Sequence, residues 1–369
     1  MNHKITQVSM FYLPIRGGQE TYIENLHHIL KKNDYESQVI QVNRAVDKVP
    51  SHVKFLYRTP HLLNKIIPDT DWFAFNFGLI FEKKALRQSD LIICHYPFHY
   101  PAISWHQNII VLSHGVDWRE PARTFADRYR VYALEMCKNK KLTIIANDTN
   151  FLRHLGLDIQ PANSEFQQVS DRIWYIPNCV NTEQFKPSGV TRKNIILVPR
   201  NIRYSRGIHL AIQSFYEFVK HDCYREYEMW IAGTGQLGRY YRYCKKLIND
   251  LNLQESVKFI GHVPWQSLGD YYNQVKLTLI PTIELEGTSL SALESMACKT
   301  PVVSTSIAGL NDLPTIKTSL EPDDIANKMV EGIENWNYYS QFQYEKVLTT
   351  FNLILWKEAW LKVIEETLK

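Results

Sequence analysis

Apolar and polar positions change rhythm in a regular way along most of this chain. Short runs dense in β-branched and aliphatic residues, such as Asn108–Ser113 (NIIVLS) and Leu142–Asn147 (LTIIAN), are separated by longer stretches of mixed polarity. A brief continuous apolar run bounded by turn residues predicts a strand covered on both faces. By this reading the strands of the first half are Ile5–Phe11, Gln38–Val42, Asp90–Cys94, Asn108–Ser113, Leu142–Asn147 and Ile173–Ile176. Between several of them the apolar residues recur at helical spacing, as in Gln19–Lys32 and Thr124–Lys138. Strands alternating with amphipathic helices predict an α/β fold, a parallel sheet with helices on both faces.

The alternation pauses over Pro177–Asn194, where prolines, a glycine and few periodic apolar positions predict a linker. It resumes with strands at Ile195–Val198, Glu228–Ala232, Val257–Ile260, Leu277–Pro281 and Val302–Ser304. A length of 369 residues fits two cores better than one. Two doubly wound units facing a central cleft are expected, and ligands of such sheets bind beyond the carboxyl ends of the strands.

Composition narrows the class without changing this picture. The chain is 45% hydrophobic and 22% charged, as for an ordinary globular protein, and its net charge is only +4. Its basic residues are scattered, which argues against a nucleic-acid partner and leaves anionic small ligands or an acidic membrane surface open. The six cysteines are far apart, form no C-x-x-C and fall mostly in apolar patterns, so free buried thiols in a reducing compartment are expected. No secretory leader is legible at Met1–Ile5, and the longest apolar stretch, Trp72–Phe81, is broken by Asn76 and too short for a bilayer. A cytoplasmic protein is expected.

Gly233-Thr234-Gly235-Gln236-Leu237-Gly238 follows a predicted strand and precedes a helix, the context of a dinucleotide-binding turn. A nicotinamide site also needs an acidic residue closing the next strand, to hold the ribose hydroxyls. That strand ends here in Gly261-His262. An NAD-dependent oxidoreductase is therefore the alternative reading, as is a nucleotide-sugar epimerase, and the turn is expected to lie near another nucleotide.

The densest chemistry lies in Pro281–Cys298, where Glu286, Gly287, Thr288, Ser289 and Leu290 lead into a helix carrying Glu294. Glycine lets a ligand approach the backbone, and free amides at a helix start suit a phosphate. Carboxylates at the two ends of such a segment can each hold a vicinal diol. From spacing alone, Glu294 facing solvent and Glu286 ordering the turn is an equal alternative.

The two glutamates with seven residues between them, followed by Met296-Ala297-Cys298-Lys299-Thr300-Pro301-Val302-Val303, resemble glycosyltransferase family 4, retaining enzymes of the GT-B fold. Lys299 stands where that family usually has glycine. The resemblance implies that Glu286 meets the hydroxyls of the transferred sugar, that the amides of Gly287–Leu290 meet sugar and phosphates, and that Glu294 meets the ribose. Pro199-Arg200 and Arg206-Gly207 resemble the family's Gly-Arg and Lys-Gly, and imply a clamp on the leaving diphosphate by Arg200 and Arg206. Val257–Val263 resembles the segment bordering the base, which implicates His262, Val263 and, with them, the turn at Gly233 and Gly235. In the first half, Gly17-Gly18-Gln19-Glu20 and Ser113-His114-Gly115 resemble loops near the donor; Gly17 and Gly18 would lie by its phosphates and His114 would hydrogen-bond the sugar. His95, at a similar strand end, is read as structural. Ile176-Pro177-Asn178-Cys179-Val180-Asn181 resembles the inter-domain segment. The expected domains are then an acceptor-side unit, 1–185, a donor-binding unit, 186–349, and a last helix, 350–369, returning to the first.

The expected activity is metal-independent transfer of a hexose, glucose by family weight, from UDP to a glycan or lipid-linked acceptor in polysaccharide or glycoconjugate synthesis. Asp69-Thr70-Asp71 spells a metal-binding string but follows no apolar strand and is expected as a surface turn. Val53–Phe81 mixes aromatics with Lys54, Arg58, His61 and Lys65, which suits either a peripheral membrane contact or ordinary helix packing.

Overall fold

The computed structural model describes residues 3–15, 17–44, 46, 48–56, 69–115, 118, 122, 124–140, 142–158 and 166–369. They divide into two compact units. One holds the described residues up to 158, those from 166 to Pro177, and Trp356–Lys369; the other is Asn178–Leu355.

In the first unit the strands β1 (Lys4–Val8), β2 (Glu36–Val42), β3 (Val53–Leu56), β4 (Leu91–Cys94), β5 (Ile109–Ser113), β6 (Thr143–Ala146), β7 (Gln167–Ser170) and β8 (Ile173–Tyr175) form one sheet in the order β3-β2-β1-β4-β5-β6-β8-β7. β4, β5 and β6 are buried at every position, which is why they read as unbroken apolar runs. Only β7 pairs antiparallel, with β8. The half-exposed edge strands β3 and β7 lack such a run and left no signal in the sequence. β1 stops at Val8, short of the expected Phe11, where the Ser9 hydroxyl donates to the Phe11 carbonyl at 2.8 Å.

The helix Gly18–Lys32 turns Tyr22, Ile23, Leu26, Ile29 and Leu30 inward, and Phe125–Asn139 begins on a capping box between Thr124 and Asp127. The last helix, Leu353–Leu368, buries Trp356, Trp360, Val363 and Ile364, and the Trp360 indole donates to Tyr22 Oη at 3.0 Å. Asp69-Thr70-Asp71 is not a surface turn: it opens the helix Thr70–Phe81. The inward face of that helix is Asp71, Phe75, Asn76 and Leu79, so Asp71 is buried with the apolar run it precedes. Of the aromatic and basic stretch 53–81, residues 57–68, with Arg58, His61 and Lys65, lie outside the described residues.

The second unit contains β9 (Lys193–Pro199), β10 (Glu228–Ala232), β11 (Val257–Gly261), β12 (Val275–Ile280), β13 (Val302–Thr305) and the short β14 (Ile316–Thr318), all parallel, in the order β11-β10-β9-β12-β13-β14. One apolar layer gathers Phe215, Phe218, Met229 and Met329, and the other Phe185, Tyr272, Leu293 and Met296. The segment expected as a linker is, from Asn178 onward, part of this unit. Val180 N donates to Phe351 O at 2.8 Å, and Phe185 is 1% exposed. All six cysteines are free, and only Cys223 is exposed.

Candidate active site

The strand order of the second unit reverses between β9 and β12, and the loops leaving their carboxyl ends carry Arg200, Arg206 and Glu286. This is the switch point at which doubly wound sheets bind ligands. The two loops are tied by their backbones. Ile283 N donates to Ser205 O at 3.0 Å, and Gly207, with φ +68°, lies so close to Pro281 that a Cβ would sit 1.8 Å from its carbonyl oxygen. Only glycine allows that approach. It sets Arg206, the residue before, against the Glu286 loop.

Glu286 is 8% exposed and lies between two guanidiniums. Arg200 Nη1 meets Oε1 at 3.2 Å, and Arg206 Nη1 meets Oε2. Arg200 Nη2 also donates to Ser289 Oγ at 2.9 Å, on the residue just before the helix Leu290–Ala297. Burial holds the Arg200 pKa down to about 10 and, with the charges of Arg200 and Arg203, holds Arg206 down to about 9. Both are still cations at neutral pH, so two charges face one carboxylate and the cluster keeps a net positive charge for an anion. The loop is held from behind: Gly309 N donates to Glu286 O at 2.8 Å, and Asn178 N donates to Thr288 Oγ1 at 2.8 Å. Gly287, Thr288 and Ser289 are buried, and Leu290 opens the helix half-buried.

Glu294, on that helix, does not face solvent; it is 6% exposed. Tyr272 Oη donates to its Oε2 at 3.0 Å and the Trp265 indole to its Oε1 at 3.2 Å. Neither aromatic was singled out in the sequence, because an aromatic in a short helix is usually core. Burial pushes the Glu294 pKa up to about 7, against the lowering effect of Tyr272, Trp265 and Arg200. Between about 4.5 and about 7 the unfolded chain releases this proton while the folded chain keeps it. Stability of the second unit is therefore expected to fall as pH rises through that window and to level off above it. Urea unfolding of the wild type and Glu294→Gln at several pH values checks this; equal slopes in both proteins would remove Glu294 as the cause.

The same helix is held at its other end by Arg192, inside the former linker. Its Nη1 donates to Tyr272 O and Val275 O, both at 2.9 Å, and to Thr300 Oγ1 at 2.5 Å. Its Nη2 donates to Cys298 O at 2.8 Å and Lys299 O at 3.3 Å.

The Gly233–Gly238 turn has a structural use that the dinucleotide reading does not need. A Cβ on Gly233 would lie 2.3 Å from Arg200 O, and Gly235 backs onto Ile202 O. Thr234 N donates to Asn201 Oδ1 at 2.9 Å, and the following helix begins only at Arg239. The glycines bring this turn against the loop that carries Arg200. Beyond β11, His262 is exposed and Val263 is buried in the core.

In the first unit, Gly17 and Gly18 are exposed at the start of their helix, and Gln19 Nε2 donates to Ser9 Oγ at 3.0 Å. His114 follows β5 and is 7% exposed. His95, beyond the neighbouring β4, is fully buried, and its Nδ1 lies 3.1 Å from His114 Nε2. The two histidines form a pair, which their separate positions in the sequence did not show. Burial holds the His114 pKa down to about 3 and puts His95 well below its usual range.

Residues 180–343 match the family model described as glycosyl transferases group 1. An uncharacterized glycosyltransferase of Methanocaldococcus jannaschii is 27% identical over 91% of this chain and 90% of its own length. Among solved structures, sucrose-phosphate synthase from Thermosynechococcus elongatus superposes with a TM-score of 0.81 at 16% identity, covering 99% of each chain. HepE from Anabaena, solved in complex with UDP and glucose, gives 0.74 at 16% identity over 99% of this chain and 100% of that one. Residues 180–343 form a glycosyl transferases group 1 domain, the chain has the GT-B fold, and the protein is a glycosyltransferase.

Proposed function

We propose that this glycosyltransferase retains anomeric configuration and moves a hexose, glucose in the first instance, from UDP to a glycan or lipid-linked acceptor in polysaccharide or glycoconjugate synthesis in the cytoplasm. The observation that carries the reading is the pairing of Glu286 with Arg200 and Arg206 at the switch point of the second unit. A diphosphate arriving there meets two cations, and a sugar hydroxyl meets the carboxylate between them. Arg200 and Arg206 stabilise the charge that grows on the leaving phosphate, the work that other transferases give to a divalent metal. The acceptor hydroxyl attacks from the face the phosphate leaves and gives that phosphate its proton; the new glycosidic bond forms as the old one breaks. Glu294 takes the ribose diol, and the amides from Gly287 to Leu290 take phosphate and sugar. By the family resemblance, Gly17, Gly18 and His114 are read as donor contacts and the first unit as the part that binds the acceptor. The HepE complex with UDP and glucose supports this choice of donor.

Thermal-shift screening against UDP, GDP, ADP, their sugar conjugates and NAD, with and without EDTA, tests the donor. Stabilisation by UDP and UDP-glucose that EDTA leaves unchanged is expected, since a ligand of the folded state raises its apparent stability. A shift with NAD alone would return the protein to the dehydrogenase reading, and loss of the UDP shift in EDTA would overturn metal independence.

No helix among the described residues is long and apolar enough to cross a membrane. The helix Thr70–Phe81 instead presents Phe77, Ile80 and Phe81 outward, 62%, 52% and 72% exposed, and exposed Lys84 and Arg87 follow it in the chain. Apolar residues flanked by cations suit a peripheral contact with anionic lipid. Flotation with phosphatidylglycerol vesicles is expected for the wild type and not for Phe77→Ser/Phe81→Ser; no flotation of the wild type removes the membrane contact.

A further inference from the structure

Gln7, His95 and His114 stand side by side at the carboxyl ends of β1, β4 and β5, three adjacent strands of the first unit. Gln7 Oε1 lies 3.0 Å from His95 Nε2, and His95 Nδ1 lies 3.1 Å from His114 Nε2. The two imidazole planes are inclined by only 5° with centroids 5.3 Å apart, so at 3.1 Å between nitrogens the His95–His114 contact lies near the ring planes, where nitrogen lone pairs and N–H bonds point. Gln7 and His95 are fully buried, and His114 nearly so. A charged imidazole is costly there, and each ring carries a single proton.

With the Gln7 amide oxygen turned toward His95 Nε2, and the Gln7 amide nitrogen buried without a partner among the described residues, the hydrogen bonds run in one direction. The Gln7 carbonyl oxygen can only accept, so His95 carries its proton on Nε2. Its Nδ1 is then an acceptor, and His114 must carry its proton on Nε2 to satisfy it. The ring nitrogen of His114 left for a ligand is Nδ1, unprotonated. Tyr22 fixes the ring's pose edge-on, its centroid 5.1 Å from that of His114.

We propose that Gln7 and His95 are positioning residues that hold His114 in the Nε2–H tautomer, so that it meets a sugar hydroxyl as a hydrogen-bond acceptor through Nδ1. This rests on the reading of His114 as a contact of the transferred sugar. An acceptor of this kind selects a hydroxyl and disfavours a sugar carrying a carbonyl or ether oxygen at that position, which would leave two acceptors facing each other.

The test begins with the ligand-free wild type. Two-bond ¹H–¹⁵N correlation spectra of histidine-labelled protein, assigned with His114→Gln, should show His114 protonated at Nε2. His95→Phe removes the acceptor and should turn the His114 signals into a mixture of tautomers. His95→Asn places an oxygen where Nδ1 stood and should restore the wild-type pattern. With UDP-glucose as probe, His95→Phe should lower kcat for donor hydrolysis about tenfold, the size of one ordinary hydrogen bond, with KM within about twofold. His95→Asn should keep most of the wild-type kcat. His114 protonated at Nδ1 in the wild type, or a tautomer ratio that His95→Phe leaves unmoved, overturns the proposal; should His95→Phe fail to fold, the wild-type spectrum and His95→Asn decide it. Absence of any turnover of UDP-glucose by the wild type would count against the donor reading instead, because the spectra are recorded without ligand.

Discussion

Replacing Glu286 with glutamine is expected to lower turnover about 10²–10³-fold, the range for one lost charge-assisted contact in a transition state, while affinity for the free nucleoside diphosphate holds or tightens. The two effects part because of where the carboxylate lies. It bonds Arg200 on one side and Arg206 on the other, and so offsets part of the positive charge that a diphosphate meets. Glutamine removes that offset, which favours the phosphates. It also removes the strong acceptor for a sugar hydroxyl, which matters most as the ring gains positive charge. Calorimetric titration with UDP and steady-state turnover of UDP-glucose separate the terms. Parallel loss of UDP affinity and kcat would mean that Glu286 only shapes the phosphate pocket, and unchanged turnover would remove it from the site.

Replacing Arg192 with methionine is expected to cost about 3 kcal/mol or more of stability in the second unit. Methionine keeps much of the apolar stem but none of the five hydrogen bonds, four to backbone carbonyls and one to Thr300. Each acceptor left unsatisfied away from water costs about 1 kcal/mol, and the stack on Trp336, 5.1 Å from guanidinium carbon to ring centroid, is lost as well. A domain of this size would melt about 6–12 °C lower. Arg192→Lys should recover only part, because an ammonium has three donors and no planar fork. Calorimetry of the variants checks this; a melting point within about 1 °C of wild type would show that water replaces the guanidinium without cost.

The parts of this molecule that were legible in its sequence share a cause. β4, β5 and β6 are covered on both faces, so their residues are apolar except for Ser113 and Thr143 at two strand ends, and such runs cannot be hidden. The loops with Arg200, Arg206 and Glu286 were legible because glycines and charges after a strand have few uses other than chemistry. What escaped depended on residues distant in the chain. Tyr272 and Trp265 matter because of Glu294, and His95 because of His114; neither pairing has a spacing that announces it. Arg192 lay in a stretch whose prolines and polar residues read as a linker, yet its partners are the carbonyls of distant segments. The edge strands β3 and β7 were too exposed, and the three-residue β14 too short, to carry a pattern.

The first unit is discontinuous: the chain leaves it after Pro177 and returns only at Trp356. During synthesis, the whole sequence of the second unit emerges while the first still lacks its last helix. Trp356 packs edge-on against Tyr22 at 4.8 Å, Trp360 bonds the same phenol, and Tyr22 in turn abuts His114. The first unit is thus completed only after the second has been made, and its histidine pair acquires its final packing only then.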